Sequence, residues 1–111
     1  MTKFEQDFKE YLLDNQVYRE ICEHSYSNGF FDFPDSMKFG VYQDFMDKAG
    51  IGIGCYSFND KRKIGWGYFI HVYHGYKVEE SNPVLGYATL DECRKAALKK
   101  AIDLYNKKHA S

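Results

Sequence analysis

The sequence predicts an α+β domain: N-terminal helices, a three- to four-stranded antiparallel meander, and a long C-terminal helix packed on the sheet. Three observations lead there. Apolar residues recur at helical spacing in the first 48 residues and again after residue 88, whereas residues 51–80 alternate with a period of two. Turn-forming clusters divide that alternating block into segments short enough to be strands. The final segment, 89–108, carries a complete helix start and a spine of alanines. Strands grouped together and flanked by helices, without βαβ alternation, mark the α+β class.

The first helix follows from Thr2, whose hydroxyl can cap the first turn with Glu5 three residues on. Phe4, Phe8, Tyr11 and Leu12 then form one stripe, and the helix should end near Asp14 or Asn15. A shorter helix with Val17, Tyr18 and Ile21 on one side should end near His24, because Ser25, Tyr26, Ser27, Asn28 and Gly29 are turn material. Phe30, Phe31 and Phe33 precede Pro34. Such a trio either plugs the core from the side or forms an exposed patch for a partner. A third helix starts at Asp35 or Ser36 and runs to Lys48, with Val41, Phe45 and either Met37 or Met46 facing inward. Gly50 supplies its left-handed exit.

Residues 51–58 (IGIGCYSF) read as a strand, 59–63 as a polar turn, and 64–73 as a second strand. His74 and Gly75 make a tight turn into a third strand, 76–80, whose Lys77, Glu79 and Glu80 suit an edge. Asn82 and Pro83 end it, and residues 84–88 cross to the last helix with a possible short fourth strand. That helix begins at Thr89, an N-cap with Glu92 in capping-box position. Asp91 and Glu92 sit at its positive end, and Lys107, Lys108 and His109 at its negative end. Leu90, Cys93, Ala97, Ala101 and Leu104 form its stripe. The small residues at the centre allow close approach to a sheet.

Alternation sorts the hairpin into two faces. Ile51, Ile53 and Cys55, with Ile64, Trp66, Tyr68, Ile70 and Val72, would form the floor under the C-terminal helix. The other set is Gly52, Gly54, Tyr56 and Phe58, with Gly65, Gly67, Phe69, His71 and Tyr73. Glycine within a strand marks a bulge or a close approach by something else. Three occupants fit: the N-terminal helices, a second protein chain, or single-stranded nucleic acid stacked on Tyr56, Phe58, Phe69, His71 and Tyr73. In the last case Lys61, Arg62 and Lys63 would meet phosphates.

At 111 residues the chain is expected to be a single domain spanning 1–111. Its net charge of −1 gives no general grip on duplex phosphates. Cys22, Cys55 and Cys93 are odd in number and widely spaced, as expected of reduced cysteines used as small apolar residues. The N-terminus lacks signal-peptide character and no apolar run reaches spanning length, so a cytoplasmic protein without membrane contact is expected. His71 and His74 point to opposite faces, and no other ligand completes a metal set. Cys22 with His24, or Cys55 with His71, carries no nucleophile–base signature. The carboxylates Glu5, Asp7, Glu10, Asp14, Glu20 and Glu23 read as solvated charge on helix faces. Gly50, Gly52 and Gly54 lack the strand–loop–helix context and the Lys–Ser/Thr ending of a phosphate loop. No internal repeat is expected. The expectation is a non-enzymatic protein without a cofactor.

Two resemblances add to this. The segment DSMKFGVYQDFMDKAGIGI, residues 35–53, is similar to small uncharacterised proteins of phages and mobile elements in gut bacteria. The stretch 96–107, closing on Tyr105, Asn106 and Lys107, resembles their C-terminal helices. This implies an accessory role and no transferable activity. The stretch NPVLGYATLDEC, residues 82–93, resembles the proline-glycine approach and helix start of HicB-type antitoxins, from which the N-terminal helices depart. The function expected is protein–protein contact or self-association through the Gly/aromatic face with Phe30, Phe31 and Phe33. The alternative is a single-stranded nucleic-acid-binding module.

Overall fold

The computed structural model describes residues 2–14, 33–60, 63–74, 77–80 and 84–109. The helix expected at 17–24, together with Phe30 and Phe31, lies outside them. The elements are α1 (Lys3–Asp14), α2 (Asp35–Lys48), β1 (Ile51–Asp60), β2 (Lys63–His74), β3 (Lys77–Glu80), β4 (Val84–Tyr87) and α3 (Leu90–Lys108). The α+β architecture is the one the sequence predicts, with α3 packed on the sheet.

Local chemistry explains the boundaries. Thr2 Oγ1 accepts from Glu5 N at 3.2 Å, and Thr89 Oγ1 accepts from Glu92 N at 3.2 Å, so each hydroxyl satisfies a first-turn amide. Gly50 adopts φ +83° directly after α2, where a side chain would clash with its own backbone. Both strands of the hairpin are longer than expected: β1 extends to Asp60 and β2 begins at Lys63, so Asn59, Asp60 and Lys63 belong to the ladder and not to a turn.

The sheet is centred on β2. β1 pairs with it antiparallel from Ile51↔Val72 to Asp60↔Lys63. β3 and β4 pair with β2 through different stretches, β3 at His71↔Glu80 through His74↔Lys77 and β4 at Trp66↔Tyr87 through Tyr68↔Val84. A simple meander would have set β4 beside β3. A bulge lies between Trp66 and Gly67, and Gly86, at φ +108°, is the extra residue opposite it.

Ile51, Ile53, Tyr68 and Ile70 are buried on one face, against Cys93, Ala97 and Ala101 of α3 and Phe39, Val41, Phe45 and Met46 of α2. Met46 is fully buried and Met37 is 53 % exposed, which settles which methionine faces inward. The alanine spine of α3 is wholly inaccessible at Ala97 and Ala101, as a close helix–sheet approach requires. Away from the sheet, α1, α2 and α3 share an aromatic cluster. Phe8 stacks on Tyr42 at 4.5 Å, and Phe4 meets Phe45 and Tyr105 edge-on at 5.5 and 5.9 Å. Phe33 is half-buried against the same core, as the plugging reading expects.

The contacts of α2 with β1, of α3 with β1 and β2, and of α1 with α3 put all three described helices on one side of the sheet. The possibility that the N-terminal helices cover the Gly/aromatic face therefore fails for α1 and α2. Their apolar stripes are taken up by α3, by the floor of the sheet and by each other.

Candidate aromatic sheet face

The register turns the second face into a regular pattern. Gly52 pairs with His71, Gly54 with Phe69, Tyr56 with Gly67, and Phe58 with Gly65. Every glycine thus lies opposite a ring. Directly opposed residues share a face, with β-carbons about 5 Å apart, so each ring can lean across the strand into the space its partner leaves empty. The Phe69 ring occupies the position a β-carbon on Gly54 would take. Phe58 lies against Gly65 and Tyr56 against Gly67, each ring tip 3.4 Å from the missing β-carbon. Leu85 of β4 also reaches over Gly67, and Tyr73 over Gly52. The close approach that these glycines call for is made by the sheet's own side chains.

The rings form a row. Tyr56 and Phe69 have centroids 5.9 Å apart, Phe69 and His71 meet edge-on at 4.7 Å, and His71 stacks near Tyr73 at 6.5 Å. Tyr56, Phe58, Phe69 and His71 are half-buried, and Tyr73 is 47 % exposed. Val78, paired with Tyr73, and Leu85, paired with Gly67, extend the face and are about half exposed. Among its described side chains the face carries no Lys, Arg, Asp or Glu. The basic turn fares differently: residues 61–62 and the side chain of Lys63 lie outside the described residues, as do Phe30 and Phe31.

The register also exposes a repeat that the linear reading missed. Ile51-Gly52-Ile53-Gly54-Cys55-Tyr56-Ser57-Phe58 and Ile64-Gly65-Trp66-Gly67-Tyr68-Phe69-Ile70-His71 share the pattern Ile-Gly-x-Gly-x-ring-x-ring, thirteen positions apart. Antiparallel pairing relates the two copies by an approximate two-fold axis through the Cys55↔Tyr68 pair. The signal was present in the sequence, but substitutions such as Ile53 against Trp66 conceal it until the strands are aligned.

Other candidate chemistry separates. Cys55 lies on the helix-covered face and His71 on the aromatic face, so they cannot act as nucleophile and base. Burial pushes the Cys55 thiol up to about 12, which keeps it protonated near neutral pH. Cys22 and His24 are outside the described residues. No group of His, Cys, Asp or Glu able to hold a metal occurs among the described residues. Asp7 is not merely solvated charge: it accepts a hydrogen bond from Tyr105 Oη and pairs with Lys3 at 3.1 Å. The tyrosine's hydrogen bond, foremost, holds its carboxyl below the usual range, while burial pushes the Tyr105 hydroxyl up. Between α2 and α3, a cleft of about 190 Å³ is lined by Asp35, Lys38, Phe39, Asp91, Arg94 and Lys95. Its charges are engaged locally, Lys38 with Asp35 at 3.2 Å, Lys95 with Asp91 at 3.0 Å, and Arg94 over the Phe39 ring at 5.3 Å. No helix among the described residues is long and apolar enough to cross a membrane.

No protein-family model, curated protein or solved structure matches this chain.

Proposed function

We propose that the chain is a non-enzymatic binding protein that acts by contact through its aromatic sheet face, and that the partner is a second copy of the same chain. An accessory role of the kind phages and mobile elements encode fits this reading. The observation that supports it is the row of rings laid over glycines, on the side of the sheet opposite all three described helices. The described side chains of this face are rings, glycines, Val78 and Leu85, so covering them desolvates few polar groups, while the register also places Asp60, Lys63 and Glu80 at positions of the same face. Apolar area of this kind gains about 25 cal/mol per Å² when removed from water.

Size sets the strength. A strand of 10 residues is about 33 Å long at about 3.3 Å per residue, and three neighbouring strands span roughly 14 Å. Two such faces bury about 900 Å² in total, below the roughly 1,200 Å² of a stable interface. The dimer is therefore weak and concentration-dependent. The pseudo-two-fold pattern helps it: rotating either face by half a turn presents nearly the same arrangement of rings and glycines.

Sedimentation velocity over a wide concentration range tests the reading. The wild-type chain shifts from monomer towards dimer as concentration rises, and Tyr73→Glu remains monomeric with an unchanged circular dichroism spectrum. A wild-type chain that stays monomeric throughout overturns self-association. Salt-sensitive binding of single-stranded oligonucleotides, lost in Phe69→Ala, would install the nucleic-acid reading in its place.

A further inference from the structure

On the helix-covered side of the sheet, away from the row of rings, α2, α3 and the hairpin enclose a cleft of about 250 Å³ that opens to solvent. Phe39 and Gln43 of α2, Trp66 of β2 and Arg94 of α3 line it, and no Asp or Glu does. Arg94 is half-buried, with its guanidinium over the Phe39 ring at 5.3 Å. That contact uses the flat face of the guanidinium and leaves its five N–H donors in the plane. Among the described residues no carboxylate pairs with Arg94 and no acceptor takes those donors. Asp35 and Asp91, which share the adjoining cleft with Arg94, are paired with Lys38 and Lys95. Gln43 donates one amide N–H to Ile53 O at 2.8 Å, and a primary amide carries a second.

We infer that this cleft is a binding site for a small aromatic monocarboxylate, whose two oxygens meet the Arg94 guanidinium and whose ring lies among Phe39 and Trp66. A guanidinium presents paired donors at the spacing of the two carboxylate oxygens. One cation neutralises one negative charge, whereas a phosphate dianion would keep half of its own. Cys55, also in the wall, is a neutral thiol near neutral pH and adds no charge. A cation partly withdrawn from water holds an anion more strongly than an exposed one does, because the effective dielectric there is lower. Size restricts the occupant further. The cleft is smaller than the roughly 300 Å³ at which sites for drug-sized ligands begin, so it takes a molecule of about one ring.

Gly40 supports the same site from the other wall. It lies inside α2 and lines the cleft, and a β-carbon there would meet nothing within 4 Å. Its φ is not positive, so neither the backbone nor a close neighbour calls for glycine at this position. Glycine within a helix costs stability relative to alanine. What the missing side chain leaves here is open room in the cleft. Because the cleft and the ring face lie on opposite sides of the sheet, this site stands or falls independently of self-association.

Trp66 is the chain's only tryptophan and stands in the cleft wall, so its indole N–H reports on the site. The test follows that signal in nitrogen–proton NMR spectra of the full, isotope-labelled chain as sodium benzoate is added at constant ionic strength. A saturable shift with a millimolar dissociation constant is expected for so small a ligand. Neutral benzamide should bind the wild-type chain at least about tenfold more weakly, and so should benzoate bind Arg94→Gln, since each change removes a charge-assisted hydrogen-bonded pair. Gly40→Leu fills the cleft without altering Arg94. It should abolish the shift while keeping the wild-type circular dichroism spectrum, and it decides the matter if Arg94→Gln does not fold. Absence of a saturable shift, equal affinity for benzamide, or undiminished binding by Gly40→Leu would each overturn the assignment. So would benzoate-induced shifts confined to the ring face.

Discussion

Glycine has opposite meanings at different positions of this chain. A β-carbon on Gly40, inside α2, would meet nothing within 4 Å. A β-carbon on Gly65 would lie 2.9 Å from the carbonyl oxygen of Tyr87, a backbone atom held by the β2–β4 ladder. Gly40→Ala should therefore stabilise the protein by about 0.5–1 kcal/mol, since helical glycine gives up more backbone entropy than alanine. Gly65→Ala should destabilise it by about 1–3 kcal/mol, the usual penalty for forcing extra atoms into a packed site. Urea denaturation of the two variants separates them by sign, and a stable Gly65→Ala protein would contradict the close β4 contact. The sequence marked Gly52, Gly54, Gly65 and Gly67 as places where a helix, another chain or nucleic acid comes close, whereas the atoms beside them belong to the sheet itself, and Gly86 of β4 has nothing near it. The rings of the neighbouring strand were not foreseen as the occupants, because that depends on which residue of one strand faces which residue of the other.

At the level of elements, α1 is held by a polar latch as well as by its rings. Asp7 accepts from Tyr105 of α3, and the backbone amide of Phe4 donates to Asn106 Oδ1 at 2.8 Å. Asp7 titrates lower in the folded chain than in the unfolded one, chiefly because of the Tyr105 hydrogen bond. Its contribution is thus complete above the ordinary carboxylate value of about 3.9 and is lost as the pH falls through the lower, folded value. Tyr105 titrates higher when folded, so its contribution is complete below about pH 10 and fades as the pH rises beyond that. Thermal melts recorded from neutral pH downward should show the wild-type advantage over Asp7→Asn shrinking below about pH 4. An advantage independent of acid would sink the latch. The helices themselves were legible from capping and periodicity, since those signals are local. The latch was not, because Asp7 and Tyr105 lie at opposite ends of the chain and each fits an ordinary amphipathic pattern.

For the molecule as a whole, the order of stability should follow β2. This strand is paired with β1 along its length and also with β3 and β4, and its Tyr68 and Ile70 lie under α3. Hydrogen exchange should therefore be slowest in β2 and fastest in α1, which has no ladder and relies on its aromatic and polar contacts; protection of α1 equal to that of β2 would contradict this. The two-face division of the hairpin was readable from alternation alone, whereas the pairing of β4 with β2 was not, because it depends on the Gly86 bulge. The checkerboard of rings and glycines also bears on how the chain reaches this state. Sliding β1 along β2 by two residues keeps every side chain on its own face, so burial alone resists such an error poorly. In one direction the slip sets Gly54 against Gly67 and leaves a gap, and in the other it forces Tyr56 against Phe69. Only the native pairing gives each glycine a ring and each ring a glycine. The repeated pattern thus favours the native register over slips that the division into two faces alone would tolerate.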